Sequence, residues 1–232
     1  MPPSPGKLWS KRGLLSRLAR VGMTRKARGP VTEVVDRPAE LGRLPALKTW
    51  ARDGGRFVTL PLVYTEHPPT GKPNLGMYRM QIHGPSTTGM HFQIHKGGGV
   101  HLHEAESAGG DLPATVYFGG PPALILAAIA PLPEDVPELL LASLLLGRRL
   151  PVVRGRTVHP LVARCEFALH GRVRAGVRRA EGPFGDHYGY NSLQHDYPVF
   201  EVDTVYRRRG AILPATVVGR PWQEDFHIGD YL

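Results

Sequence analysis

Glycine and proline occur so often in this chain that long helices are disfavoured over most of its length. The 232 residues include 28 glycines and 23 prolines, and from Val34 onward these residues separate short apolar runs. Glycine weakens the interior of helices and strands, and proline removes a backbone donor from both. Such punctuation is typical of short strands joined by turns, so a turn-rich and strand-rich domain is predicted.

Several apolar segments are predicted to form the strands of one sheet. Residues 57–63, 76–83 and 88–94 are expected as successive antiparallel strands, with Arg79 inside the second, because the turn sequences TGKPN and GPSTT separate them. Further strands are predicted at residues 114–120 and in PVVRG, LVARCEFAL and YPVFEVDTVYRRR, and short helices at 123–130 and 133–146. The predicted class is α+β, built around an antiparallel sheet or barrel.

The net charge of +9 is concentrated at the amino terminus. Eight basic residues precede the first acidic one, Glu33, which leaves 21 basic and 20 acidic residues in the rest of the chain. Residues 1–32 are therefore predicted to be a basic tail, disordered or partly helical, and residues 33–232 the domain. A transit peptide or a membrane-surface helix would also fit the tail, but a solvated connector is the simpler interpretation. The nearly neutral domain argues against a nucleic-acid partner.

Cysteine content and hydropathy restrict the cellular locations that the sequence is compatible with. The single cysteine, Cys165, excludes an intramolecular disulfide and a cysteine-built zinc site, and it suits a reducing compartment. The longest apolar run covers residues 123–130, far short of the roughly 20 residues that span a bilayer. A cytoplasmic protein without a transmembrane segment is predicted.

Four histidines lie close together in the segment HFQIHKGGGVHLHE. His101 and His103 resemble a metal-binding pair on a strand, although solvated histidines beside a glycine-rich loop are more common. The HKGGG stretch, which begins at His95, would let backbone N–H groups and Lys96 approach a phosphate, or it would form a plain flexible turn. A histidine-based metallohydrolase would need three convergent ligands and a base. On the residues alone these alternatives stay open.

Two carboxylates, Glu181 and Asp186, stand at the ends of the loop sequence EGPFGD. A rigid Gly-Pro-Phe-Gly loop is able to hold two acids near each other, so that one donates a proton while the other stays ionised. Two solvated acids on a surface loop are the alternative. Acid–base chemistry is thus one hypothesis for this loop, with no substrate implied by the residues themselves.

Read in order, four blocks of the sequence resemble the UbiD family of decarboxylases, which use prenylated FMN. The blocks are NLGMYRMQIHGPSTTGMHFQIHKGGGVHLHEAE, PPALILAAIAPLPEDVPE, EGPFGDHYGY and ILPATVVGRPWQED, and the likeness runs from about Val34 to the end of the chain. The resemblance implies a split β-barrel flavin-binding domain, similar to flavin reductases, with a few flanking helices. Family members are longer, and this chain is expected to lack their C-terminal domain.

The resemblance also implies a metal and cofactor site. Asn74, His95 and Glu138 match the family positions that bind a divalent metal, usually manganese, next to the cofactor phosphate, and a potassium ion often lies nearby. A second set of positions matches those that line the prenylated flavin: Met77, Tyr78, Arg79, His91, Phe92, Gln93, Lys96 and Gly97. The resemblance therefore favours phosphate binding at HKGGG.

For catalysis, the resemblance implies a network of Arg79, Glu181 and Asp186, with one of the two acids as the proton donor. The implied reaction is reversible, non-oxidative decarboxylation of an aromatic or α,β-unsaturated carboxylic acid, such as a quinone-pathway intermediate. Implied partners are a flavin prenyltransferase that supplies the cofactor, and either a second copy or a complementing subunit. A cofactor-binding core with little activity is the alternative. Two departures from the family pattern, His170 and Asn191, lie outside this network.

Overall fold

The computed structural model describes residues 12–13, 20–133 and 135–230. Its strands are β1 (Met23–Lys26), β2 (Val34–Asp36), β3 (Phe57–Val58), β4 (Leu62–Glu66), β5 (Pro73–Met77), β6 (Met80–Gln81), β7 (Thr87–Gly89), β8 (Leu112–Phe118), β9 (Leu150–Arg154), β10 (Pro160–Val162), β11 (Phe167–Glu181) and β12 (His195–Arg207). Its helices are α1 (Gly97–Ser107), α2 (Ala123–Ile129), α3 (Glu138–Leu146) and α4 (Glu224–Asp230), with short 3-10 turns at Pro30–Thr32 and Leu41–Arg43.

A seven-stranded antiparallel sheet forms the centre of the molecule. Its strands follow the order β2-β12-β11-β8-β4-β5, and β7 also pairs with β12. The long hairpin of β11 and β12 is paired from Phe167 opposite Arg207 to Glu181 opposite His195. At Gly171, where the register shifts, an ideal Cβ would lie 1.8 Å from the carbonyl oxygen of Glu201, so only glycine fits. The predicted α+β class, dominated by antiparallel sheet, is confirmed.

The strand predicted at residues 76–83 is interrupted at its centre. β5 ends at Met77, β6 begins at Met80, and Tyr78 and Arg79 lie in the break between them. β6 pairs with β3, and a single bridge between Ile82 and Thr88 connects the segment after β6 to β7. Within the described residues no ladder closes the sheet between β5 and β2. The break places Arg79 outside a regular strand, which differs from the prediction.

The sheet separates two hydrophobic cores. On β8, Val116 and Phe118 pack into one core, whereas Tyr117 packs into the other. Successive residues of a strand point to opposite faces, so a strand that is covered on both faces has a mostly apolar sequence, as at Leu112–Phe118, where Thr115 is the one clearly polar residue. The second core is enclosed by α2, α3 and the small sheet of β1, β9 and β10.

The packed structure starts before residue 33, the predicted start of the domain. β1 pairs in parallel with β9, from Met23 opposite Leu150 to Lys26 opposite Val153, and Val31 is completely buried in the second core. Backbone pairing leaves the basic side chains of β1 exposed, so composition did not distinguish this strand from a solvated segment. Residues 1–11 and 14–19 of the predicted tail lie outside the described residues.

The helices agree with the predictions in part. α2 and α3 occupy the predicted segments, but α3 begins at Glu138, directly after Pro137, rather than at residue 133. α1 was not predicted, because its first three residues are glycines and glycine-rich segments usually form loops. His101 and His103 therefore lie on a helix and not on a strand. Among the residues that the structure describes, no helix has the length and hydropathy of a membrane span.

Two buried histidines are paired with threonine hydroxyls. His101 Nδ1 lies 2.9 Å from the Thr65 hydroxyl, and His159 Nδ1 lies 3.1 Å from the Thr115 hydroxyl. Burial lowers the pKa of each histidine from 6.5 to about 4, with a smaller contribution from His67 near His101 and from His170 near His159. Both histidines are therefore neutral in the folded protein at neutral pH.

We expect the protein to lose stability as the pH falls from about 6.5 toward 4. Across this range the unfolded chain binds protons at these histidines and the folded chain does not, at a cost of up to roughly 3 kcal/mol for each histidine. Urea unfolding of the wild type, His101→Gln and His103→Gln at pH 7 and at about pH 4.5 tests this. The stability loss should shrink in His101→Gln and persist in His103→Gln, whose side chain is exposed on the same helix. Equal losses in all three proteins would contradict the prediction.

Candidate active site

Glu181 is a buried carboxylate at the end of β11. It is 1% exposed, and its Oε1 accepts hydrogen bonds from Arg79 Nε at 3.0 Å and from His91 Nδ1 at 2.8 Å. A buried carboxylate is tolerated when a cation and hydrogen-bond donors compensate for its lost hydration. The structure thus brings together two of the three predicted catalytic residues, Arg79 and Glu181, and adds His91.

Arg79 reaches Glu181 because the strand is broken around it. Its guanidinium carbon also lies 4.5 Å from the ring centre of Phe184, within the EGPFGD loop. This cation–π contact fixes the guanidinium between the loop and the carboxylate. His91 is oriented in turn by the ring of Tyr197, which stacks on it at 4.1 Å between centroids, and burial raises the pKa of that tyrosine.

Asp186, the other predicted catalytic acid, lies apart from this pair. Its nearest ionic partner among the described residues is His187, at 2.5 Å between Oδ1 and Nδ1, and 42% of its side chain is exposed. It lines an open cavity of about 270 Å³ together with Trp50, Ala51, Arg52, Gly185, Gly189, Tyr190, Asn191, Gly219 and Arg220. The loop therefore holds one buried, paired carboxylate and one carboxylate that faces a solvent-accessible cavity.

The EGPFGD loop is held in place by residues that the sequence did not indicate. Asp53, which is 3% exposed, accepts hydrogen bonds from the amides of Trp50 at 2.8 Å and Gly185 at 2.9 Å. Gln81 accepts one from the amide of Gly182 at 2.8 Å. The contacts to the loop join segments more than 100 residues apart, and no local motif marks them. Asp53 and Gln81 thus position the loop that carries both acids.

The Trp50 ring fills the space between two glycines of this region. A Cβ would lie 2.3 Å from the indole at Gly185 and 2.7 Å from it at Gly219, so neither position accepts a side chain without displacing the ring. The indole N–H donates a hydrogen bond to the carbonyl of Val218 at 2.6 Å. Trp50 thereby connects the EGPFGD loop to the segment that leads to α4.

Two of the predicted metal ligands lie at one place. Glu138 is the first residue of α3, and its carboxylate accepts a hydrogen bond from the Leu75 amide at 3.0 Å, next to Asn74 on β5. Burial raises the pKa of Glu138. The Asn74 Nδ2 atom is buried and has no hydrogen-bond partner among the described residues. His95 lies in an exposed loop just before α1, and nowhere in residues 20–133 and 135–230 do three His, Cys, Asp or Glu side chains converge as a metal cluster.

Three of the predicted cofactor residues, Tyr78, Phe92 and Gly97, lie at the N-terminus of α1, whereas Arg79 and His91 contact Glu181. A Cβ at Gly97 would lie 2.1 Å from Asn74 Oδ1, and one at Gly98 would lie 2.6 Å from the Phe92 ring, so both positions require glycine. The Gly98 amide donates a hydrogen bond to the Tyr78 hydroxyl at 3.2 Å, and the rings of Tyr78 and Phe92 meet edge to face at 4.9 Å. Gln93 and Lys96 are exposed, whereas Met77 is half-buried. The N–H groups at a helix N-terminus lack intrahelical acceptors and are suited to an anionic group such as a phosphate, although the Gly98 amide already donates to Tyr78 in this structure.

We expect Asp53→Ala to loosen the EGPFGD loop. The substitution leaves the amides of Trp50 and Gly185 without their acceptor, which should lower the free energy of unfolding by roughly 2–3 kcal/mol. Hydrogen exchange should accelerate at Gly185. Asp196→Ala, which removes an exposed carboxylate from β12, serves as the control. Unchanged protection of the loop in Asp53→Ala would contradict this role.

Comparison with known proteins places this chain in a family. Residues 23–221 match the model of the UbiD family, the 3-octaprenyl-4-hydroxybenzoate carboxy-lyase Rift-related domain. The chain is 51% identical to a 4-hydroxybenzoate decarboxylase subunit of Chlamydia pneumoniae, across 99% of this chain and 40% of that protein. It thus spans about two fifths of the length of the curated relatives it matches.

Solved structures show the same fold. The UbiD-class enzyme HmfF of Pelotomaculum thermopropionicum, in complex with FMN, superposes with a TM-score of 0.85 at 30% identity, over 94% of this chain and 50% of that one. A related HmfF structure, an evolved dimeric form in complex with prFMN, has a TM-score of 0.79 at 31% identity and covers 87% of this chain and 49% of that one. The vanillic acid decarboxylase of Sedimentibacter hydroxybenzoicus, at 24% identity, shares the fold with a TM-score of 0.84 over 98% of this chain and 50% of that one. By its family match and its neighbours, the chain belongs to the UbiD family of decarboxylases.

Proposed function

We propose that this chain is the cofactor-binding part of a decarboxylase that acts on an aromatic or α,β-unsaturated carboxylic acid. The reaction is reversible and non-oxidative, and it uses prenylated FMN with a divalent metal, in the first instance Mn²⁺. The observation that carries the proposal is the buried Glu181 carboxylate held by Arg79 and His91. The segment that follows His91 leads directly into the glycine-rich N-terminus of α1 at Gly97. The residue that contacts Glu181 and the proposed phosphate-binding helix N-terminus are therefore close together in the chain.

The residues around α1 fit a flavin phosphate and a metal. The glycines at the start of the helix leave the backbone free of side chains, and the buried Nδ2 donor of Asn74, which has no hydrogen-bond acceptor within normal geometry among the described residues, suits an anionic oxygen such as that of a phosphate. Asn74 and Glu138 would hold the metal through oxygen atoms, and His95 would supply the third ligand from the adjoining loop. A potassium ion near this site belongs to the same proposal.

The part of each acid follows from the chemistry of CO2 loss. When bound, the prenylated flavin would serve as the electron sink for the electron pair left by the departing CO2. The broken carbon–carbon bond is replaced by a carbon–hydrogen bond, so one proton must reach the substrate carbon. Arg79 and His91 both contact Glu181 Oε1, which makes Glu181 the positioned partner of the two acids. Asp186, open to the cavity, is then the better candidate for proton donor.

A second polypeptide completes the enzyme in this proposal. The chain spans 40% of the C. pneumoniae relative, whose name describes it as a subunit, and several leucines of α3 are exposed, among them Leu140, Leu144 and Leu145. Exposed apolar groups on one helix are typical of a surface that a partner or a second copy covers. A core that binds cofactor but turns over little by itself is the alternative. A cytoplasmic location stays a prediction.

The split β-barrel is part of the proposal as well. β5 and β6 are consecutive, and the bridge between Ile82 and Thr88 connects them to β7, which pairs with β12. This path supports a barrel that is interrupted at Arg79, where the guanidinium needs access to Glu181. The break between β5 and β6 would then give the bound cofactor access to Glu181.

Native mass spectrometry tests cofactor binding. The chain should be co-expressed with a flavin prenyltransferase in manganese-containing medium, together with Asn74→Ala and a control, Asp196→Ala, which lies exposed on β12. We expect prenylated FMN and one divalent metal on the wild type and on the control, and a loss of at least tenfold in metal occupancy for Asn74→Ala. Equal occupancy in all three proteins would contradict the assignment of Asn74.

Decarboxylation tests the acids. The name of the C. pneumoniae relative makes 4-hydroxybenzoate the first substrate to assay, with the chain alone and with a polypeptide that supplies the remaining length. Glu181→Gln should lower the rate by 10²-fold or more, because it removes the charge that Arg79 pairs with. Glu201→Gln, on β12 next to Arg172 and Arg174, should leave the rate unchanged. A Glu181→Gln protein with the parental rate would refute the proposed function.

A further inference from the structure

Two buried polar atoms without hydrogen-bond partners lie beside Gly89. Glu181 Oε2 and His83 Nε2 each lack a hydrogen-bond partner among the described residues, although neither atom is exposed to solvent. Buried polar atoms in folded proteins are nearly always paired with protein groups or with ordered water. Two such atoms side by side indicate a shared partner between them.

Gly89 fixes how close the two atoms are. A Cβ on this residue would lie 2.8 Å from Glu181 Oε2 and 3.1 Å from His83 Nε2. The two atoms are therefore no farther apart than the sum of these two distances. A water that makes two hydrogen bonds of about 2.8 Å joins atoms up to roughly 5.6 Å apart. This upper limit is close to the reach of one bridging water.

We propose that His83 is a positioning residue for Glu181, joined to the free Oε2 oxygen by one buried water beside Gly89. The carboxylate would then be held at both oxygens, at Oε1 by Arg79 and His91 and at Oε2 by His83. Each donor restricts rotation of the carboxylate and stabilises its charge. The contact involves only residues of this chain and does not depend on the proposed function. Its consequence for catalysis rests on the proposed function.

The charges around His83 agree with a donor role. Burial lowers the pKa of His83 and nearby Arg179 lowers it further, while the negative charge of Glu181 raises it. The imidazole is therefore neutral at neutral pH, so it carries one N–H. With that hydrogen on Nε2, it donates to the water, which in turn donates to the carboxylate.

A titration of His83 tests this contact without cofactor or substrate. The chain should be labelled with ¹⁵N-histidine, and the imidazole signals followed against pH in the wild type, Glu181→Gln and Glu201→Gln. Removal of the carboxylate charge should lower the pKa of His83 by about half a pH unit or more. Glu201→Gln should leave it unchanged. In the wild type, the nitrogen shifts should report the tautomer with hydrogen on Nε2.

Gly89→Ala provides an independent variant should Glu181→Gln fail to fold. The φ of Gly89 lies outside the left-handed region, so alanine is compatible with the backbone, but its Cβ displaces Glu181 Oε2 and the water. The pKa of His83 should fall in this variant as well. A crystal structure of the wild type should show a water within about 3.2 Å of both atoms.

Two outcomes would overturn the inference: a His83 pKa that stays constant in both Glu181→Gln and Gly89→Ala, or well-defined density without a water between the two atoms. The proposed function fails by a different result, namely absence of decarboxylation in the completed enzyme. If decarboxylation is found, His83→Gln, which keeps a donor, should retain the wild-type pH profile, whereas His83→Phe should shift it.

Discussion

The requirement to compensate one buried charge determines much of this structure. Glu181 lies at the end of the longest strand, with almost no exposure to solvent. An isolated carboxylate in such a position would cost several kcal/mol, so donors must converge on it from other parts of the chain. Arg79 comes from a broken strand and His91 from the segment before α1. The break between β5 and β6 therefore allows Arg79 to form the ion pair with Glu181.

The strands could be predicted from the sequence because their signal is local. Apolar runs bounded by glycine and proline indicated the segments of β8, β9 and β12, whereas most of β11 was not predicted, because the run LVARCEFAL covers β10 and only the first residues of β11. Where sequence reasoning failed, the determining contact was distant. Nothing near Arg79 shows that its strand must break, because the reason is a carboxylate 102 residues away. α1 was not predicted because its first three residues are glycines, which usually indicate a loop. Its later residues, such as Leu102 and Ala105, are buried.

The candidate site was predicted in part, and mainly through the family resemblance. Residues alone suggested an acid pair in EGPFGD and a phosphate-binding element in HKGGG, but not that Glu181 would be buried while Asp186 stays open to a cavity. Asp53, Gln81 and His83 were not anticipated. Each is an ordinary polar residue in the sequence, and its importance comes from a partner that only the folded chain brings near.

Strand β8 is buried on both faces, and this affects how the two cores unfold. Its successive residues Tyr117 and Phe118 belong to different cores, so a single layer of β-sheet separates the two cores. The second core lies behind Leu75 and Leu139, which adjoin Asn74 and Glu138, and the first lies behind Tyr78 and Phe92. A ligand that contacts the α1 glycines together with Asn74 and Glu138 would therefore touch residues that adjoin both cores. The two halves of the molecule would then resist unfolding together.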